Sequence, residues 1–475
     1  MKITDVNLAV LAPMGILFIL SVGAQAYTFD EYIGEVKVKN SALLGSEKSI
    51  KGSSLRNSEA QLYYMPSFFF NGQYSDDQRP TNAPSFQGTQ TLRKTYQAGL
   101  SQQFRSGTKT TFSYNFAQTT INGSSVLPIT NFYDVSPQVE LTQSLWKNWW
   151  GSESRANETI IQAGAEVVNF SEKFRYKQLL MTAEMNYWRL AFAQEVVKVQ
   201  KESLDRSLKL KDYNHNKYNS GLADESDYLQ ASSALTARDL DYQTSLIEER
   251  SAARVFNSLR ELEADNVDEK LSPPTEETLL ALNLPTRRGN REDVEASLAQ
   301  KKIAQAQAKL GEEKNKPTLE AYGSYSLNGR AVSTGPAQSQ SWTQDHPYTI
   351  VGIRFNTPLN FGNLSDNKEG YAQEKVAAEL NYQRKVFEQE KEWKDLVNKF
   401  QDYQDRLKLS QKMEAAQKDK LMKERARLNR GRTTTFQILQ FEQDYANAQL
   451  LKLRNEADLV NTYAQLKLFS GVDHE

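Results

Sequence analysis

The sequence predicts an α+β membrane protein, internally duplicated, in which amphipathic β-strands lead into a long α-helical hairpin and the same order then repeats. Three observations predict it. Proline and glycine almost vanish from two long tracts, strand-like alternation fills the gaps around them, and turn and strand motifs recur at matched spacings.

Composition frames what these elements can do. The chain has 475 residues and a net charge of −1, so it carries no global basic field for nucleic acid. A mean hydropathy of −0.66 excludes a polytopic helical membrane protein. It leaves room for a membrane β-barrel, whose strands alternate polar and apolar. With no cysteine there is no disulfide framework, thiolate zinc cluster, thiol nucleophile or lipidated N-terminal cysteine. The histidines His215, His346 and His474 lack ligand spacing, and no phosphate loop or Gly-x-Ser-x-Gly occurs. Neither an enzyme nor a cofactor nor a metal centre is expected.

Residues 1–26 read as a signal peptide. Lys2 is a thin basic region, Leu8 to Val22 an apolar stretch broken by Pro13, and Ala24-Gln25-Ala26 a cleavage site that leaves Tyr27 as the mature start. A membrane anchor is the other reading, but the apolar run is short for a span.

The helices follow from punctuation. No proline lies between Pro137 and Pro273 or after Pro358, and each of 152–262 and 365–469 holds only two glycines. Both tracts are rich in Ala, Leu, Glu, Lys, Gln and Arg, good helix formers. Each is interrupted late, at Tyr218-Asn219-Ser220-Gly221 and Leu428-Asn429-Arg430-Gly431, so each is expected to be a helical hairpin with a glycine at its tip. The arm from Ser152 to Tyr218 would span roughly 100 Å at the α-helical rise, too long for a compact domain. Tyr228, Leu235 and Tyr242 recur at seven-residue steps, as coiled-coil packing requires. On their own the helices also fit an ordinary antiparallel coiled coil.

The strands follow from period-two alternation. Val351, Ile353, Phe355, Thr357 and Leu359 alternate with Gly352, Arg354 and Asn356, and Val139, Leu141 and Leu145 with Glu140, Thr142 and Ser144. Such strands suit lipid on one side and water on the other, or a half-buried soluble sheet; the signal peptide favours the membrane. Further strands are expected at 67–75 and 318–326. Trp146, Trp149 and Trp150 sit where strand gives way to helix and are placed at a membrane interface, packing beneath the helix start being the alternative.

The duplication emerges from spacing. Pro66, Gly72, Tyr74 and Ser75 match Pro317, Gly323, Tyr325 and Ser326, an offset of 251 residues. Leu145 and Leu359 are 214 apart, and the tips Gly221 and Gly431 are 210 apart. The drop from 251 to 214 marks an insertion of 37 residues in the first repeat. It contains an extra hairpin over 92–120, in which Tyr96, Ala98 and Leu100, then Phe112, Tyr114 and Phe116, alternate about a turn at 105–108; its place in or outside the wall stays open. The expected divisions are a first repeat over 27–262, a linker over 263–289 and a second repeat over 290–475. Four principal strands cannot close a pore, and open edges are not tolerated in lipid, so cyclic oligomerisation is expected.

With these residues in place the chain resembles the TolC family of outer-membrane efflux proteins. Lys217-Tyr-Asn-Ser-Gly-Leu222 and Arg427-Leu-Asn-Arg-Gly431 look like the family's two tip motifs, Asn290-Arg-Glu-Asp293 like the start of its second repeat, and 351–359 like its strand before the second long helix. The resemblance covers nearly all of the mature chain. It implies a homotrimer: a transmembrane β-barrel of four or more strands per protomer in outer-membrane lipid, continued by a periplasmic α-helical barrel. It implies a passive exit duct for efflux or type I secretion, working with a periplasmic adaptor and an inner-membrane efflux pump or secretion ATPase. It implies adaptor docking at the tips, Gly221, Leu222, Gly431 and Arg432. It also implies a carboxylate ring constricting the periplasmic end: Asp227 matches in the first repeat, with Asp224 and Glu225 beside it, whereas Gln437 and Gln440 stand where the family often has Asp. Asp224 and Glu225 are equally explained as acids in the first turn of a helix. The competing reading is a periplasmic coiled-coil structural or adaptor protein without a pore of its own.

Overall fold

The computed structural model describes residues 27–470, and the expected signal peptide at 1–26 lies outside them. In chain order the elements are α1 (Phe29–Lys39), α2 (Ser41–Arg56), α3 (Glu59–Leu62), β1 (Ser67–Asp77), α4 (Pro84–Gln87), β2 (Gln90–Gln103), β3 (Thr108–Asn122), β4 (Asn131–Ser144) and α5 (Ser152–Asn219). They continue with α6 (Glu225–Leu259), α7 (Glu276–Leu280), α8 (Glu292–Lys314), β5 (Thr318–Leu327), β6 (Gly329–Ala331), α9 (Thr334–Gln340), β7 (Pro347–Asn356), α10 (Phe361–Asn429) and α11 (Thr435–Lys467). The two proline-poor tracts are the helix pairs α5–α6 and α10–α11, as their composition predicts.

The chain forms two compact units, each drawing on both halves of the sequence. One holds the sheet and comprises 41–179, 284–398 and 465–470. Its sheet is antiparallel throughout, in the order β1-β2-β3-β4-β5-β7. β6 continues the pairing of β5 along β4, with Val135 opposite Gly329. The extra hairpin over 92–120 therefore lies within the sheet as β2 and β3, between β1 and β4.

Register fixes which side chains share a face, because residues directly opposite point the same way. One transverse row reads Phe68, Leu100, Phe112, Val139, Tyr325, Thr349 across all six long strands. On this face Phe70, Tyr96, Leu141, Val351, Ile353 and Phe355 are also exposed, Val351 at 84%. The opposite face is polar: Asn71, Gln97, Asn115 and Ser136 form a row, with Asn71 Nδ2 donating to Gln97 Oε1 at 3.2 Å. Arg354 stands 3.6 Å from Glu320 on the same side. The sheet is hollowed on this polar face, where a groove of about 600 Å³ is lined by Asn71, Gln97, Asn115, Ser136 and Arg330. Connections differ at the two ends of the strands: 104–107 is a tight turn, whereas 78–89, 123–130 and 328–346 are long.

In the same unit α8 enters through Arg291. Its guanidinium lies over the rings of Phe174 (5.0 Å) and Phe469 (4.8 Å) and donates to Asp293 and Glu392, so a buried cation is fully paired.

The other unit contains α1 with 180–283 and 399–464. Thr28 and Glu31 form a reciprocal capping box that starts α1. Tyr32 stacks on Phe256 at 4.2 Å, with Tyr187 beside them, all fully buried. Arg260 Nε donates to Glu35 at 2.8 Å. Burial works to raise the Glu35 carboxyl, but hydrogen bonds from Lys39, Tyr27 and Arg260 prevail and hold it at about 2. The segment between α6 and α8 is tied in by Glu276 of α7, which pairs with Lys452; Lys452 also lies 2.9 Å from Glu414 and 3.9 Å from buried Glu456.

Candidate functional site

The two helix tips are built alike. α5 and α10 each end in a glycine at φ +70°, a left-handed conformation that glycine adopts without a Cβ penalty. Gly221 N–H donates to the Tyr218 carbonyl and Leu222 N–H to that of Lys217; Gly431 and Arg432 repeat the pattern on Leu428 and Arg427, all four bonds at 2.9 Å. This is a Schellman motif at both tips. A Cβ on either glycine would meet nothing within 4 Å. Leu222 is 76% exposed and Arg432 is exposed, so both tips present side chains outward.

Behind the second tip three helices lock together. Leu210, Leu428 and Ile438 form a buried cluster with Tyr213, whose hydroxyl donates to the Leu428 carbonyl at 3.2 Å. Thr435 Oγ1 donates to buried Asn214 at 2.8 Å. Two turns further on, Glu442 accepts from Arg206 of α5 and Arg425 of α10, each at 2.9 Å. Buried charge is tolerated because it is paired from both sides.

The residues predicted to gate fall just inside the tips. Asp224 is the N-cap of α6 without a side-chain capping bond, and Glu225 and Asp227 occupy the first turn. Asp227 is half-buried, while Asp224 and Glu225 are exposed. On α11, Gln437 and Gln440 lie away from the buried line of Thr435, Ile438 and Glu442. Thr433 donates to Gln437 Oε1 at 2.8 Å, and Gln440 donates to Asp444 at 3.0 Å. Asp444 is a carboxylate that sequence reasoning missed. Positions 437, 440 and 444 share one helical stripe, so its spacing from Gln440 was the available signal. Lys420 lies 3.7 Å from Asp444.

The tryptophans mark the junction from β4 to α5. Trp146 and Trp149 are 48% exposed and Trp150 is 59% exposed. The backbone there is unusual: Asn148 has φ 60° and Trp150 φ 49°, uncommon for residues other than glycine. Asn148 N–H donates to Glu313 at 3.1 Å, and its side chain accepts from Ser154 N–H at 3.0 Å. The turn of the β2–β3 hairpin docks here. A Cβ at Gly151 would lie 1.8 Å from the Arg105 carbonyl oxygen, and one at Gly107 2.6 Å from that of Asn148. Arg105 pairs with Glu158 of α5 at 2.5 Å.

Among the described residues, no helix is long and apolar enough to cross a membrane, and no cluster of three or more His, Cys, Asp or Glu is placed to hold a metal.

Comparison with known proteins places this architecture. No curated protein sequence matches the chain. Among solved structures, the CmeC outer membrane channel of Campylobacter jejuni superposes with a TM-score of 0.64 at 15% identity, covering 93% of this chain and 85% of that one. The outer membrane protein VceC of Vibrio cholerae gives 0.65 at 12% identity, covering 93% and 96%. The MtrE outer membrane channel of Neisseria gonorrhoeae, in its open state, gives 0.61 at 14%, covering 93% and 88%. Residues 284–472 match the model of the outer membrane efflux protein family. Those residues carry the outer membrane efflux protein family's pattern, and the chain as a whole has the fold of TolC-like outer membrane channels.

Proposed function

We propose that the chain is one protomer of a trimeric outer-membrane channel, a passive exit duct for efflux or type I secretion. The sheet supplies a transmembrane barrel wall and the long helices a periplasmic tunnel. The observation that carries the reading is the sheet. Six strands share a continuous exposed apolar face, and the hollowed face opposite is polar, which is the pattern of a wall between lipid and water. A periplasmic coiled coil or adaptor has no use for such a face. The tight turn at 104–107 and the long connections at the other strand ends follow the usual asymmetry of outer-membrane barrels, which supports assigning the junction tryptophans to the periplasmic interface.

In this reading the chain is an internal duplication, each half contributing strands and one helix pair, with the paired Schellman tips as its strongest trace. The tips, Gly221, Leu222, Gly431 and Arg432, receive a periplasmic adaptor that joins the duct to an inner-membrane pump or secretion ATPase. Energy comes from that partner, because the duct only opens and closes. Asp227, Asp224 and Glu225 of the first half, with Gln437 and Gln440 of the second, narrow the tunnel at its periplasmic end. Symmetry mates bring like charges together there, and a constriction strengthens their field.

The test is reconstitution of the purified mature protein into planar bilayers. Discrete, long-lived conductance steps are expected. Folded oligomers that insert but carry no current would overturn the channel reading and return the chain to a structural role.

A further inference from the structure

We infer that the barrel wall takes six strands, not four, from each chain, so that the trimer proposed above closes as an 18-stranded barrel sealed by a β1–β7 seam between copies. The inference rests on that reading for the number three and on the sheet for everything else.

The hairpin is a structural part of the wall. β2 pairs with β1 over eleven residues and β3 with β4 over thirteen, and β1 makes no pairing with β4. Its side chains obey the face rule of its neighbours. Tyr96, Leu100 and Phe112 fall on the exposed apolar face, and Thr95, Gln97 and Asn115 line the polar groove. A hairpin that projected into water from the wall would not need an apolar face in register with four other strands. Its turn is also clamped, through Gly107, Gly151 and Arg105, to the start of α5, where β4 itself ends.

The edges then identify the partner. The sheet ends at β1 and β7, eleven and ten residues long. Both carry exposed apolar side chains on the same face, Phe68 and Phe70 on one and Val351, Ile353 and Phe355 on the other. Open edges of this kind do not persist in lipid, and six strands are fewer than the smallest natural transmembrane barrels contain. With an even number of alternating strands, β7 of one copy meets β1 of the next antiparallel, so the pairing rule is unbroken across the seam. The occupant of each edge is thus a second copy of this chain, in a head-to-tail ring.

The consequence is a wider mouth. At a strand spacing of about 4.8 Å and a tilt of about 40°, 18 strands give a backbone diameter on the order of 36 Å, against about 24 Å for 12. A mouth of that width would leave the narrowing of the duct to its helical end.

Single-particle electron microscopy of the detergent-purified full-length protein tests this directly. A threefold ring of 18 strands is expected. A threefold ring of 12 overturns the six-stranded wall while the trimer stands; a twofold ring of 12 keeps six strands per chain but overturns the trimer and with it the 18-stranded barrel. Because the chain has no cysteine, disulfide trapping gives a second arm. Phe70→Cys with Ala98→Cys, partners on β1 and β2, should oxidise within one chain. Oxidation of Phe70→Cys with Val139→Cys instead would place β1 beside β4 and overturn the proposal.

Discussion

At the residue scale the sequence speaks through glycine and falls silent where other residues adopt glycine's backbone. Gly221 and Gly431 were legible as tips because a glycine closing a helix-forming tract has few other uses. Trp150 was not, since nothing in its side chain advertises a positive φ; at Asn148, a residue that tolerates that conformation, bonds with Glu313 and Ser154 hold the turn. The tips allow a clean dissection. Alanine at Gly221 and Gly431 meets no neighbour, so each change carries only the left-handed backbone penalty of about 1 kcal/mol. Double substitution with bulky residues should leave oligomers intact by native gel while reducing export; undiminished export would remove the tips from docking. Glu456 gives a prediction in pH. Burial raises its carboxyl, Lys452 opposes that, and Glu276, Glu414 and Glu195 add to the rise, so it is pushed up to about 7. Its folded value lies above the ordinary carboxylate value, so this group's contribution to stability is greatest in acid and is lost as pH rises from about 4.5 to 7. Glu456→Gln should therefore stabilise the protein at pH 8, by up to about 3 kcal/mol, and change little at pH 4. Thermal unfolding at the two pH values checks it, and equal shifts would show that charge is not the cause.

At the element scale alternation and punctuation carried most of the information. The long helices, β1 and β5 lie where period and composition put them, whereas β7 stops at Asn356 and leaves Thr357 and Leu359 of the expected alternation outside the strand, and β4 stops at Ser144, one residue short of Leu145; the β2–β3 hairpin was visible as a pattern. Its place in the sheet was not, because one strand's alternation names its faces but not its neighbours; only pairing does. β6 and α9 escaped notice altogether, three and seven residues being too short for a period to show. The two faces of the sheet make opposite predictions. Val351→Arg sets a charge on the apolar face and should cost about 2–4 kcal/mol if that position lies deep in lipid. Ser324→Arg sets it on the polar face beside Glu140 and should be tolerated. Heat-modifiable migration on gels after folding into lipid vesicles reads both. Equal tolerance would mean that the apolar face does not meet lipid.

At the scale of the whole molecule the proposed duct raises the question of what would hold it shut. Asp227 and Gln437 sit at the same point of the two halves, each the third residue of its helix in α6 and α11, so a closed ring alternates carboxylate with amide if both face the lumen. The carboxylate nearest on the second stripe, Asp444, lies two turns beyond Gln437 and within 3.7 Å of Lys420, which offsets part of its charge. At the level of Asp227 and Gln437 such an entrance carries half the charge of an all-carboxylate ring, and the field at a constriction scales with that charge. The wild-type channel should therefore show weak block by divalent cations applied from the periplasmic side. Gln437→Asp with Gln440→Asp completes the ring and should strengthen that block at least tenfold without changing trimer stability, because both glutamines are exposed. Asp227→Ala should weaken it further and raise conductance. Planar-bilayer titrations with a divalent salt measure all three channels on one scale. If the double aspartate variant is blocked no better than wild type, this stripe of α11 faces away from the lumen, and the constriction must be sought on α6 alone.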